Sequence, residues 1–291
     1  MSARFLIGAG VAAAVVIGSV SSALGGTPPK RADKELGTVL SNPRIFNLLW
    51  DDNWTAHNSS PLKKGNIHTF VRTLTTTSAW TSGATQYGVK SWTFGGTVDA
   101  SSKCGDTRAP TTVTTPQILL WAGCMVGKGG VTGPVVRVPV SNDVYIVYLP
   151  ERTTITDRAV IPALTLLGKT YGPWTLFDSS SCTPGGYAAY HAFTLFVAQL
   201  FSVIVEPTKC VGGSLDDMTQ AVSHEVIEAA ANPLLALGWI DTSLTFGARY
   251  TQGELADICE PGTGAVGTAG VSHGRFTFAT YWSNSAGACV G

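Results

Sequence analysis

The chain has 291 residues, 19 basic against 19 acidic side chains and only 13% charged residues. That balance excludes the basic stripe on which nucleic-acid binding depends and the polybasic patch that draws a protein to anionic lipid. At 44% hydrophobic residues the chain is rich enough for a substantial core, which excludes disorder.

Arg4 precedes an apolar stretch from Phe5 to Val20, and Ser21, Ser22 and Ala23 follow. This is the order of a secretory signal peptide, charged n-region, h-region and small-residue cleavage site, and it is expected over residues 1–23. A membrane anchor is the alternative, but the stretch is short, rich in Ala and Gly, and runs into Gly25, Gly26, Pro28 and Pro29. Residues 24–41 are read as a flexible spacer, and residues 42–291 as a single domain with a C-terminal lobe from about 234. Every later apolar run is broken before about 18 residues, too short to span a bilayer. The mature protein is therefore expected to be secreted and free of the membrane.

Arg44 to Trp50 is a compact apolar and aromatic run that suits a buried strand. Asp51, Asp52 and Asn53 begin the loop beyond it, where Asn53 and Asn58 are sequons of use only to a host that glycosylates. Between Pro61 and Thr75, the spacing of Ile67, Phe70, Val71 and Leu74 predicts a helix with those four inward. From Thr76 to Val140 the density of Thr, Gly, Ser and Pro predicts short strands and long loops, with a helix over 116–122. Asp143 to Pro150 and Phe201 to Pro207 lack polar alternation and read as strands central to a sheet.

The best helix lies between Ser214 and Asn232. Ser214 can cap it, Asp216 and Asp217 suit the positive end of its dipole, and Asn232-Pro233 stops it. Beyond Trp239 the chain is loop-rich, with a strand expected from Arg275 to Tyr281. Cys104, Cys124, Cys182, Cys210, Cys259 and Cys289 are an even number in a chain read as exported, which favours disulfides. The sequential pairing 104–124, 182–210 and 259–289 is preferred because each bond closes a local loop.

Chemistry concentrates at Ser223 to Glu228. On a helix, His224 and Glu228 stand one turn apart on one face, close enough to share a cation, and Glu225 leans toward the same place. This is the geometry of the HExxH zinc helix, in which two His hold the metal and Glu is the general base toward water. Here Glu228 takes the place of the second His; the added carboxylate weakens the preference for zinc and admits manganese or calcium. An HExxE on a solvated acidic helix face is the plain alternative.

Three ordered segments, Ser223 to Pro233, Gly238 to Asp241 and Glu254 to Cys259, resemble the bacterial branch related to the plant EXORDIUM, or phosphate-induced, proteins. That family's pattern is S-H-E-x-x-E-A-x-T-D-P, then G-W-x-D, then E-I-G-D-x-C. Looser similarity covers most of the mature chain, including Gly186 to His191 and Tyr281 to Asn284. The resemblance implies an extracellular, zincin-like α+β protein, a mixed sheet with an active-site helix and a disulfide-tied, loop-rich C-terminal region. It also implies a metallopeptidase in which His224, Glu228 and Asp257 hold one divalent metal and Glu225 is the catalytic base. Zinc is the first expectation for that metal, calcium or manganese the alternatives.

The partner expected is a peptide or protein substrate, laid along a sheet edge by strand addition. Glu254, Asp241 and His191 compete for the third-ligand place, Asp257 being preferred because a disulfide at Cys259 would anchor it. This chain departs from the family at Ala231 and Asn232, where Thr-Asp is usual, and at Ala256, where Gly is usual. The other reading is a non-catalytic extracellular or cell-wall-associated protein of the same family, with a structural metal or none. His57, His68 and His273 have no role in either reading.

Overall fold

The computed structural model describes residues 32–34, 39–51, 54, 62–127, 142–156, 189–196, 199–207, 214–233, 238–241, 253–259 and 270–291, with short strands between 160 and 175. The expected signal peptide, His57, both sequons, Cys182 and Cys210 lie outside the described residues.

In chain order the framework is β1 (Arg44–Leu49), α1 (Lys64–Thr76), β2 (Thr93–Asp99), α2 (Thr115–Gly127), β3 (Asp143–Leu149), β4 (Tyr190–Phe196), β5 (Gln199–Pro207) and α3 (Leu215–Ala231). The five strands form one sheet in the order β4-β5-β3-β1-β2. Four of them run parallel, and β4 is antiparallel at one edge. The sheet is mixed, as expected, but its helices do not segregate to one side.

The reason lies in the strand sequences. Because successive side chains alternate across a strand, Ile45, Leu49, Val144, Ile146, Tyr148 and Ile204 enter a core with α1 and α3. Their neighbours Phe46, Leu48, Tyr145, Val147, Leu149 and Val203 enter a second core with α2. A strand apolar on both faces needs cover on both, and parallel neighbours need crossovers that supply it. The architecture is therefore mixed α/β, a mainly parallel sheet between helical layers, rather than the α+β arrangement expected.

Ile67, Phe70, Val71 and Leu74 are the buried face of α1, as their spacing predicts. The region after it is more ordered than its composition suggests. Helix Ser78–Thr81 and the 3₁₀ turn Ser82–Tyr87 follow at once, and α2 runs well past 122. Trp80 and Tyr87 explain this, since both are buried against the C-terminal segment. The Trp80 indole donates to the Ala279 carbonyl at 3.0 Å and the Tyr87 hydroxyl to the Trp282 carbonyl at 2.8 Å.

The C-terminal segment contains β6 (Val271–His273), β7 (Phe276–Phe278), β8 (Tyr281–Ser283) and β9 (Ala288–Val290), paired as two hairpins. The strand expected from Arg275 to Tyr281 is thus divided. Its break comes at Ala279, whose carbonyl accepts from Trp80 and whose N–H donates to the Ser223 hydroxyl at 2.7 Å. Disulfides Cys104–Cys124 and Cys259–Cys289 form as expected and fit an oxidising compartment.

The end of the expected spacer is packed. Asp33–Lys34 pairs with Trp239–Ile240, the Asn284 side-chain amide brackets the Ala32 backbone, and the Leu40 N–H donates to the Ala230 carbonyl at 2.9 Å. Backbone groups in a polar segment can complete ladders that the folded domain leaves open, whatever their composition. Among the described residues, no helix is long and apolar enough to cross a membrane.

Candidate metal centre

α3 presents three faces, each with its own partner. At its start, the Ser214 hydroxyl accepts from the Asp217 N–H at 3.2 Å, and Asp216 and Asp217 occupy the first turn. These are the cap and dipole charges that the sequence predicts. Met218, Val222 and Val226 join the core shared with the sheet.

A polar stripe, Asp216, Thr219 and Ser223, faces β7. The Thr219 hydroxyl donates to the Thr277 carbonyl at 2.9 Å and accepts from the Thr277 N–H at 3.1 Å, and the Asp216 carboxylate accepts from the Thr277 hydroxyl at 3.0 Å. Ser223 extends the stripe to the Ala279 N–H. Ser223→Ala leaves that buried N–H without its acceptor and is expected to cost about 1–3 kcal/mol. Urea unfolding checks this, and a midpoint equal to that of the wild type would show that Ser223 does not fasten the helix to β7.

The third face carries His224 and Glu228. Opposite it lies the segment Gly253 to Cys259, which ends in a 3₁₀ turn, Asp257–Cys259. The Asp241 N–H donates to the Gly253 carbonyl at 2.7 Å, the Trp282 N–H donates to the Leu255 carbonyl at 2.8 Å, and Cys259 is bonded to Cys289. A Cβ at Gly253 would collide with the Asp241 carbonyl, and one at Gly238 with the Ala231 carbonyl. Both positions need glycine because backbone passes backbone at contact distance.

This fastening brings the expected ligands together. His224 Nε2 lies 3.1 Å from Glu228 Oε1 and 3.3 Å from Asp257 Oδ1. The Asp257 N–H donates to Glu228 Oε1 at 3.2 Å. Among the described residues, two overlapping groups have potential ligand atoms within 4.8 Å of one another: His224 with Glu225 and Glu228, and Glu228 with Glu254 and Asp257. Glu228 belongs to both.

Of the competitors for the third-ligand place, Glu254 is in the cluster. Asp241 is in neither group; it is buried, and its backbone N–H ties Gly253 in place. His191 falls on β4 in register with Ile204. His68 meets the Thr97 hydroxyl at 3.3 Å and the edge of Phe94, while His273 stacks on Phe278 with ring centres 4.6 Å apart.

In the sequence Glu254 is a rival to Asp257, and Asn232 is a helix stop and a departure from the family pattern; neither shows that the two side chains meet. Asn232 is fully buried at the end of α3, and its side-chain amide donates to Glu254 Oε1 at 2.6 Å. The available signal was its position, a polar residue that stops a helix one turn after a ligand. Nothing in the spacing shows which acid it meets.

The cluster is short of positive charge. Burial opposes a charge on His224, yet the Glu228, Asp257 and Glu225 carboxylates outweigh it and hold the imidazole well above its ordinary pKa. Burial also lifts Glu228 well above the carboxylate range, the neighbouring Asp257 and Glu254 charges push the same way, and His224 opposes them. One imidazole among several buried carboxylates is a donor set that fits a divalent cation, with oxygen donors in the majority.

Fold and site together define a mixed α/β protein in which half-buried His224 and Asp257 meet buried glutamates in a cluster able to hold a metal ion. In comparisons with known proteins the chain matches no family model, no curated protein and no solved structure.

Proposed function

We propose that this protein is a secreted, zincin-like metallopeptidase related to the EXORDIUM proteins. The observation that carries the reading is the meeting of His224, Glu228 and Asp257 around one imidazole nitrogen, with Glu225 as the next residue on the same helix. In this reading His224, Glu228 and Asp257 hold one divalent ion, zinc first, with manganese or calcium admitted by the carboxylates. The ion supplies Lewis-acid polarisation of the scissile carbonyl and acidifies water. Glu225 takes the proton as water adds to the carbonyl carbon and returns it to the departing amine when the C–N bond breaks. The substrate is a peptide or unstructured protein in extended form, paired along an edge of the sheet.

Export is supported by the N-terminal charge and apolar pattern together with the two disulfides. Ion binding is tested apart from hydrolysis by thermal unfolding of the mature chain. An ion that binds only the folded state stabilises it by about 2.7 kcal/mol at a free concentration near 100 times Kd. Zinc, manganese or calcium is therefore expected to raise Tm, and a chelator to reverse the rise. A Tm indifferent to all three ions would overturn the metal assignment.

One observation favours the other reading, a non-catalytic extracellular or cell-wall-associated protein with a structural ion. Glu228 is only 2% exposed and Glu254 3%, and carboxylates enclosed by protein suit a structural ion better than one that must meet substrate. The two readings separate on cleavage of an unstructured protein by the metal-loaded chain. Ion-dependent stability without proteolysis under any of the three ions would select the structural one.

A further inference from the structure

Asn232 is fully buried, and both ends of its side-chain amide join separate segments. Its backbone N–H donates to the Glu228 carbonyl at 2.7 Å, closing the last turn of α3. Its side-chain carbonyl accepts from the Gly238 N–H at 2.6 Å, and its side-chain NH₂ donates to Glu254 Oε1 at 2.6 Å. The amide meets both side-chain demands with separate donor and acceptor atoms, whereas a carboxylate has no donor for Glu254 and an aliphatic side chain has neither group.

The choice of an amide has an electrostatic consequence. A lysine or arginine at this point would pair with Glu254 and cancel its charge; an uncharged donor fixes the carboxylate and leaves the charge in place. Glu254 is itself 3% exposed, and its backbone N–H donates to Asp257 Oδ2 at 3.4 Å. It is thus held toward Glu228 and Asp257, within the 4.8 Å group that the three acids form.

We propose that Asn232 is a positioning residue which holds Glu254 as a further ligand of the cation bound by His224, Glu228 and Asp257. The inference rests on the metal reading above and extends it, giving a donor set of one imidazole and three carboxylates. Such a set suits a hard ion with six or more ligands better than tetrahedral zinc. It gives Glu254 a role beside Asp257 rather than in its place.

The test is a double-mutant cycle read by calorimetric titration of Mn²⁺, and of Zn²⁺ in parallel, into the chelator-treated mature chain well below its unfolding transition. Asn232→Ala is expected to weaken Mn²⁺ binding about 10- to 100-fold in the otherwise wild-type chain. In a Glu254→Ala background the same change is expected to cost roughly threefold or less. A residue that merely ends the helix would give equal losses in both backgrounds, and that result would overturn the proposal. Glu254→Gln preserves size and keeps the test alive where Asn232→Ala does not fold: unchanged Mn²⁺ affinity in Glu254→Gln overturns the proposal on its own. A wild type that binds neither ion removes the metal reading and this inference with it, whereas intact binding with additive losses removes this inference alone.

Discussion

Glu225→Gln is expected to keep the divalent ion and lose about 10² to 10⁴-fold in the rate of peptide hydrolysis, the range for removing a general base. The substitution preserves size and hydrogen-bonding shape but removes the carboxylate that accepts water's proton. Glu225 lies in one group with His224 and Glu228 and is the residue next to His224 on the helix. His224→Ala is expected to differ in kind, because the imidazole between Glu228 and Asp257 goes and ion binding goes with it. Bound metal measured in each variant, beside cleavage of an unstructured protein over time, separates the two effects. Wild-type proteolysis by the Gln variant would remove Glu225 from the mechanism.

Trp80→Ala is expected to destabilise the fold by about 3–5 kcal/mol, as large buried aromatics do when truncated. Trp80 is fully buried, with ring centres 5.2 Å from Trp92, 5.6 Å from Tyr281 and 6.3 Å from Phe278. Its indole holds the Ala279 carbonyl, and its own carbonyl accepts from the Tyr281 hydroxyl. Truncation therefore opens a cavity and leaves the Ala279 carbonyl without its indole donor at the junction of β7 and β8. That junction supports the site at one remove, since the residue after Tyr281 holds Leu255 and so the segment bearing Glu254 and Asp257. The measurement is the urea midpoint at unchanged m-value. A loss below about 1 kcal/mol, the ordinary effect of a point substitution, would show that the C-terminal hairpins do not depend on Trp80.

Much of the local structure was legible from residue order because local physics decides it. The inward face of α1, the cap at Ser214 and the stop at Asn232-Pro233 follow from helical spacing, dipole charge and proline geometry. Unalternating apolar runs likewise mark β3 and β5 as interior strands. Pairing each cysteine with its near neighbour anticipated Cys104–Cys124 and Cys259–Cys289 because short loops close readily.

What stayed hidden depends on residues far apart in the chain. That α1 and α3 cover one face and α2 the other follows from how β1, β2 and β3 are ordered in space; a strand's own composition asks for cover on both faces but does not say which helix supplies it. The order after Thr76 comes from Trp80 and Tyr87 reaching the C-terminal segment, and the division at Ala279 from bonds to Trp80 and Ser223. His224, Glu225 and Glu228 could be grouped from sequence because one helical turn fixes their separation. Which acid joins them from residues 253–259 could not, because that depends on the Asp241–Gly253 bond, the Leu255–Trp282 bond and the Cys259–Cys289 link. Helical periodicity reaches only a turn or two along the chain; the company of Glu254 and Asp257 is decided by tertiary contacts that periodicity does not encode.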